Sequence, residues 1–412
     1  MKALTLTAAL ALCLGGLTQA TEVESTPTPT QKKSIVLRAD HVFTAAGDPI
    51  KGGFVLVEGD KIAGVGPGAG SGDEEIEVFA VTPGLIDLSP DIDTGNFSVE
   101  QSTEAPIDLS VTDALDLFSY RWKRELKGGV TTVLASPKDR AVLGGTAAVI
   151  KTGGPPLLEA RLLNKYGALR AAMGSEPSSG NRAARGGAPR NFYTRRPTTR
   201  MGVEWVFRKT FYDALANKRN DVKLTGAAKK GQEVIARVMK GELAIVCEAY
   251  PTHDIRTALF LKEEFGIPRM ILDGAAEAWR EPELLKRTGA AVILPPYVAG
   301  RTTENAFYAL ETAKLLEELG IEFALSGNGN SSPLDRLMHQ PGWAMRGGCS
   351  FDAALEAVTI TPAKMVGVAD RVGSIEVGKD ADLVLWSGVP FEATSHVIGV
   401  VLNGELVVDP RK

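Results

Sequence analysis

At 412 residues, with 44% hydrophobic and 23% charged residues, the chain has an ordinary globular composition and the length for two domains. Its 46 basic and 50 acidic residues give a net charge of −4. That balance lacks the concentrated basic field a nucleic-acid surface needs, so no nucleic-acid partner is expected.

The first twenty residues differ in kind. Lys2 precedes an apolar run from Ala3 to Leu17, and Thr18-Gln19-Ala20 then places small residues at −3 and −1 of a cleavage site. This predicts a secretory signal over residues 1–20 and a periplasmic or secreted protein. The run is short for a membrane span, and no transmembrane segment is expected in the mature chain. Cys13 follows Leu12, where lipid attachment would want a small residue. Residues 21–34 are Thr/Pro-rich and polar, and read as a leader unable to bury a core. Cys247 and Cys349 then remain. Two buried thiols are the reading, with one bridge as the alternative.

From residue 35 to about 80 the pattern is short β segments punctuated by glycine. Ile35–Ala39, Gly53–Val57 and Lys61–Val65 read as strands, the last two joined by a Glu58-Gly59-Asp60 turn. Val81-Thr82-Pro83-Gly84-Leu85-Ile86-Asp87 and Gly128-Gly129-Val130-Thr131-Thr132-Val133 follow. Residues 171–200, rich in Gly, Pro, Ser and Arg, have neither helical nor strand period and predict a long loop. The loop carries Arg182, Arg185, Arg190, Arg195, Arg196 and Arg200. It reads as a solvated segment, or as a basic lid in which Arg195 and Arg196 grip an anionic ligand.

Farther on, apolar runs alternate with amphipathic stretches, as in βα units. Strands are predicted at Leu243–Cys247, Arg269–Leu272, Ala291–Leu294 and Glu322–Leu325, and helices at Ile255–Phe265, Glu281–Arg287 and Thr303–Glu318. The C-terminus returns to β character, with Ala381–Trp386 and a Val397–Leu402, Asn403-Gly404, Glu405–Val408 hairpin. Two β-rich ends around a βα middle predict a small β-sandwich from 35–80 with 370–408, and a barrel over 81–369.

The Val81–Asp87 stretch resembles the lead-in to the first barrel strand of the amidohydrolase superfamily. Thr361-Pro362-Ala363-Lys364 and Gly373–Val384 (GSIEVGKDADLV) are similar to the C-terminal wording of its imidazolonepropionase-like branch. Gly128–Val133 and Pro197–Gly202 add weaker matches. The resemblance implies a (β/α)8 barrel with a small β-sandwich. It also implies a metal held by a His-x-His on strand one, histidines after strands five and six, and an aspartate after strand eight, activating a water against a cyclic amide.

At those positions stand Ser89 and Asp91 around Pro90, then Glu248, then Asp273 or Gly274, then Asn328. The four histidines are His41, His253, His339 and His396, and only His253 follows a barrel strand directly. Softer transition metals prefer imidazole. No cofactor is therefore expected, and the first reading is a non-catalytic binding or partner subunit, as a homo-oligomer or beside an active paralogue. Asp273, His253, Arg195 and Arg196 are its candidate ligand-binding residues, for a small molecule at the barrel mouth. The alternative is an active hydrolase whose Asp87, Asp91, Asp93, Glu248 and Asp273 hold zinc or another divalent cation, or work as an acid–base pair. A purely structural protein is the third class.

Overall fold

The computed structural model describes residues 34–90, 92, 100, 102–179, 181, 196–297, 306–327, 334 and 336–411. The predicted signal, and the leader up to residue 33, lie outside these residues. So do Asp91, Asp93, Arg182, Arg185, Arg190, Arg195 and Asn328.

The chain opens with β1 (Ser34–Val42), β2 (Ile50–Glu58), β3 (Lys61–Pro67) and β4 (Glu74–Pro83). Next come β5 (Leu85–Asp87), α1 (Tyr120–Lys127), β6 (Val130–Ala135), β7 (Leu143–Lys151), α2 (Leu158–Arg161), β8 (Leu162–Ala172), α3 (Arg200–Arg219) and α4 (Gly226–Met239). Then follow β9 (Ala244–Glu248), α5 (Thr252–Phe265), β10 (Met270–Asp273), α6 (Pro282–Thr288), β11 (Ala291–Leu294), α7 (Thr312–Glu318) and β12 (Phe323–Leu325). The last elements are α8 (Gln340–Arg346), α9 (Phe351–Glu356), α10 (Ile360–Met365), β13 (Leu383–Trp386), β14 (Val397–Leu402) and β15 (Glu405–Val408).

Both chain ends build one seven-stranded sheet in the order β15-β14-β13-β4-β1-β2-β3. It folds over until β3 meets the segment before β13: Ile62 N donates to Lys379 O at 3.0 Å, and Gly378 N to Ile62 O at 2.8 Å. This encloses Leu37, Val55, Ile62, Val81, Leu383 and Val401. The β14–β15 turn has Asn403 at φ 51° and Gly404 at φ 76°, the paired positive angles of a tight type I′ hairpin.

The middle forms an eight-stranded sheet running β5 to β12 in order. Between β12 and β5, Ala357 and Val358 bridge the gap, accepting from Leu325 N at 3.0 Å and Ile86 N at 2.8 Å. The interior is filled by alternate residues such as Ile86, Leu134, Ala168, Val246, Ile271 and Ile293, with Met365, Val368 and Val372 packed into the same cluster. The parallel βα alternation holds in the second half, as the periodicity implied. The third strand departs from it, because β7 is antiparallel to both β6 and β8. Only seven residues separate β6 from β7, too few for the crossover that parallel neighbours require.

The predicted Thr303–Glu318 helix is shorter than expected. Residues 303–305 lie outside the described chain, 306–311 form turns, and α7 begins at Thr312, whose Oγ1 donates to Ala309 O at 2.8 Å. Tyr308 packs its ring against Tyr297, centroids 5.1 Å apart. Cys247 and Cys349 are both free and buried.

Candidate functional site at the barrel mouth

Period-two alternation places a polar layer directly above the apolar filling. Two residues beyond Ala168, Val246 and Ile271 come Arg170, Glu248 and Asp273, on the same inward face of β8, β9 and β10. All three are buried.

Arg170 dominates this layer. Its Nη1 donates to Asp273 Oδ2 at 2.6 Å, while Nε and Nη2 grip both oxygens of Asp139 at 2.7 and 2.9 Å. Burial works against the guanidinium charge, but Asp139 and Asp273 outweigh it and hold the proton more firmly than usual. Asp273 also accepts from Ser89 Oγ at 2.9 Å. Burial pushes the Asp273 carboxyl above its ordinary range, with Arg170 opposing.

Asp87, at the end of β5, accepts from Ser89 N and Gly327 N, each at 2.9 Å. Burial, aided by repulsion from Glu125 and Asp273, raises its carboxyl well above the usual carboxylate range despite those bonds. Glu248 accepts from Gly174 N at 3.2 Å, and a Cβ on Gly174 would lie 2.6 Å from that oxygen.

Of the residues singled out from sequence, Ser89, Glu248, Asp273 and Gly274 come together here. His253 does not: it lies on the exposed first turn of α5, 3.4 Å from Asp254 Oδ1. Arg196 is also exposed, paired with Glu104 at 3.2 Å and stacked over Trp205. Asn181 Nδ2 donates to Pro177 O and Pro197 O, both at 2.8 Å, joining the two ends of the arginine-rich loop. Sequence reasoning missed Arg170 and Asp139. The available signal was a lone charge within Ala168-Leu169-Arg170-Ala171-Ala172, a run otherwise made for burial.

The metal implied by the resemblance does not suit these donors. Ser89, Asp87, Asp273 and Glu248 are engaged with protein hydrogens, and a fixed guanidinium sits beside Asp273 where a divalent cation would be repelled. Among the described residues no group of three or more His, Cys, Asp or Glu side chains converges as metal ligands. At Gly274 the space is taken: φ is 72°, and a Cβ would fall 2.5 Å from Tyr250 Cζ. Gly274→Ala should therefore lose about 1–3 kcal/mol by overpacking, measured as a lower urea midpoint. Gly289→Ala, at a similar φ of 61° but in open space, should lose only about 1 kcal/mol. Equal losses at the two positions would contradict the packing argument.

A cavity of about 70 Å³ opens beside Ser89, Ser136, Asp139 and Arg170.

An amidohydrolase family profile matches residues 310–407. The chain is 28% identical over 313 residues to the amidohydrolase tasK of Hapsidospora irregularis, a match covering 68% of this chain and 31% of that protein. It is 33% identical over 141 residues to the imidazolonepropionase of Shewanella baltica, covering 30% and 32%. The chain thus spans about a third of the length of these relatives. A solved amidohydrolase from Thermotoga maritima superposes with a TM-score of 0.80 at 28% identity, covering 90% of this chain and 99% of that one.

Proposed function

Since the chain belongs to the amidohydrolase superfamily, we propose that it keeps the barrel without the zinc chemistry and acts as a non-catalytic partner subunit. Arg170 carries this reading. A catalytic ion needs an open coordination position beside a proton acceptor. Here a buried arginine neutralises two carboxylates at the mouth instead, and Tyr250 fills the space beside Gly274.

The second reading, a hydrolase with a carboxylate centre, draws support from Asp87, Glu248 and Asp273 standing buried at adjoining strand ends. One of them, Asp87, is held toward its protonated form and could serve as an acid. Arg170 tells against it, because the charge it cancels is the charge a hard cation would require.

The test is metal analysis of purified protein after exposure to zinc, manganese and calcium followed by desalting. The expected result is far less than one ion per chain and no chelator-sensitive hydrolysis of hydantoin-like or imidazolone-like compounds. Stoichiometric zinc with chelator-sensitive turnover would overturn the proposal. Stoichiometric calcium or manganese with turnover would favour the carboxylate centre.

A further inference from the structure

Helix α3 is apolar on two opposite faces. Val203, Val206, Phe207, Phe211 and Ala214 are buried and bind it to the barrel. The face turned away carries Met201, Trp205, Arg208, Tyr212, Leu215 and Arg219, a run with 4-3-4-3-4 spacing. Four of these are large apolar side chains left open: Met201 at 77% exposure, Tyr212 at 53%, Trp205 at 45% and Leu215 at 37%. A helix whose hydrophobic demand were met by the barrel alone would be polar on this side.

Two of the exposed rings are held in place. The Arg196 guanidinium lies 4.8 Å over the Trp205 ring, and the Tyr212 hydroxyl donates to Glu264 at 2.8 Å. Glu264 also accepts from Arg208 Nε at 2.8 Å.

From this pattern we infer that α3 pairs antiparallel with α3 of a second copy, about a two-fold axis near Thr210. That axis sets Trp205 against Leu215 of the partner subunit, and Arg208 over the ring of the partner's Tyr212. The stem of Arg219 then covers the partner's Met201. On one flank the charges agree, Glu204 facing the partner's Lys218; on the other each Lys209 keeps its own Asp213, which offsets its nearness to the partner's Lys209 across the axis. A parallel pairing would instead set Arg208 against the partner's Arg208 and Arg219 against the partner's Arg219 along the seam, which is repulsive. Interleaved Glu204, Asp213 and Glu264 also make the strip a poor ligand for an anionic lipid surface. The strip is about 30 Å long and about 10 Å wide, well below the roughly 800 Å² per partner of a standard interface, so the pair should dissociate in the micromolar range.

This goes beyond the reading of the barrel mouth, since self-association does not depend on whether the mouth turns anything over. Sedimentation velocity across about 1–200 µM should show a monomer–dimer equilibrium. Leu215→Glu should weaken it at least tenfold, and so should Glu204→Lys. Glu204→Lys with Lys218→Glu should recover most of the affinity. All the substituted positions are partly or wholly exposed, and unchanged thermal midpoints would show that the variants fold. A monomer throughout the range, association untouched by Leu215→Glu, or failure of the double charge swap to restore pairing would each overturn the inference. So would a monomer that co-sediments with phosphatidylcholine–phosphatidylserine vesicles through Trp205.

Discussion

Arg170→Met should destabilise the protein by about 3–5 kcal/mol, the loss expected when one member of a buried ion cluster is removed and its partners stay charged. Asp273 is 3% exposed, and of the two donors that hold its carboxylate, Arg170 and Ser89, only the Ser89 hydroxyl would remain. The loss should depend on pH, and its sign follows from the carboxyl. Burial already raises Asp273 above its unfolded value, and without Arg170 it rises further. A group raised on folding supports stability below its unfolded pKa and withdraws that support as pH climbs through the folded one. The deficit should therefore be largest near neutrality and shrink under acid, in urea titrations at several pH values. Adding Asp273→Asn to Arg170→Met should recover part of the loss at neutral pH. A deficit independent of pH would show that Arg170 acts by packing alone. Arg170→Lys should restore only a fraction, because an ammonium cannot reproduce the two-oxygen grip on Asp139.

The other large effect lies at the opposite end of the barrel. Because β7 runs against its neighbours, its last residue, Lys151, emerges beside the sheet made by the chain ends. There, 1% exposed, it meets Asp380 at 2.8 Å and Asp382 at 2.9 Å. Lys151→Met should cost about 3–5 kcal/mol, with the larger share from Asp382. Asp380 would still hold Lys61 at 2.5 Å and Arg371 at 2.7 Å. Burial pushes the Asp380 carboxyl up, but Lys151, Lys61 and Arg371 together bring it down to about 2. A carboxyl lowered on folding contributes stability above its unfolded value near pH 4 and loses it as pH falls through the folded one. The wild-type protein should thus lose about 2 kcal/mol from this group between about pH 4 and pH 2. The Lys151→Met variant should lose less there, and an identical acid profile for the two proteins would refute the assignment.

The two clusters mark where sequence reading succeeds and where it stops. β11 and the β14–β15 hairpin match the predicted ranges, and β9, β10 and β12 lie within a residue of theirs at each end, because short apolar runs bounded by turns are local signals. The reversal of β7 is legible only from connection length. The few histidines make the missing imidazole ligands plain without a structure. What replaces them is not plain, since Arg170 and Asp139 are 31 residues apart and Arg170 and Asp273 are 103 apart. Likewise the crowding of Gly274 by the Tyr250 ring is visible only in the structure. The Gly378-Lys379-Asp380-Ala381-Asp382 wording marks a family, but its physical purpose appears only when Lys151, 231 residues before Asp382, is found between the two carboxylates.

The sheet built from both chain ends has a consequence for how the protein is made. β1 to β4 leave the ribosome early, yet the outer edge of β4, Ala80–Pro83, finds its hydrogen-bond partners only in Leu383–Trp386 of β13. At about 5–20 residues per second, that edge waits roughly 15–60 s for some 300 further residues. An open edge of that kind is a template for pairing with other chains. The nascent protein must cross its most aggregation-prone interval before the fold has closed, whereas the meander of β6, β7 and β8 can assemble from neighbouring sequence alone.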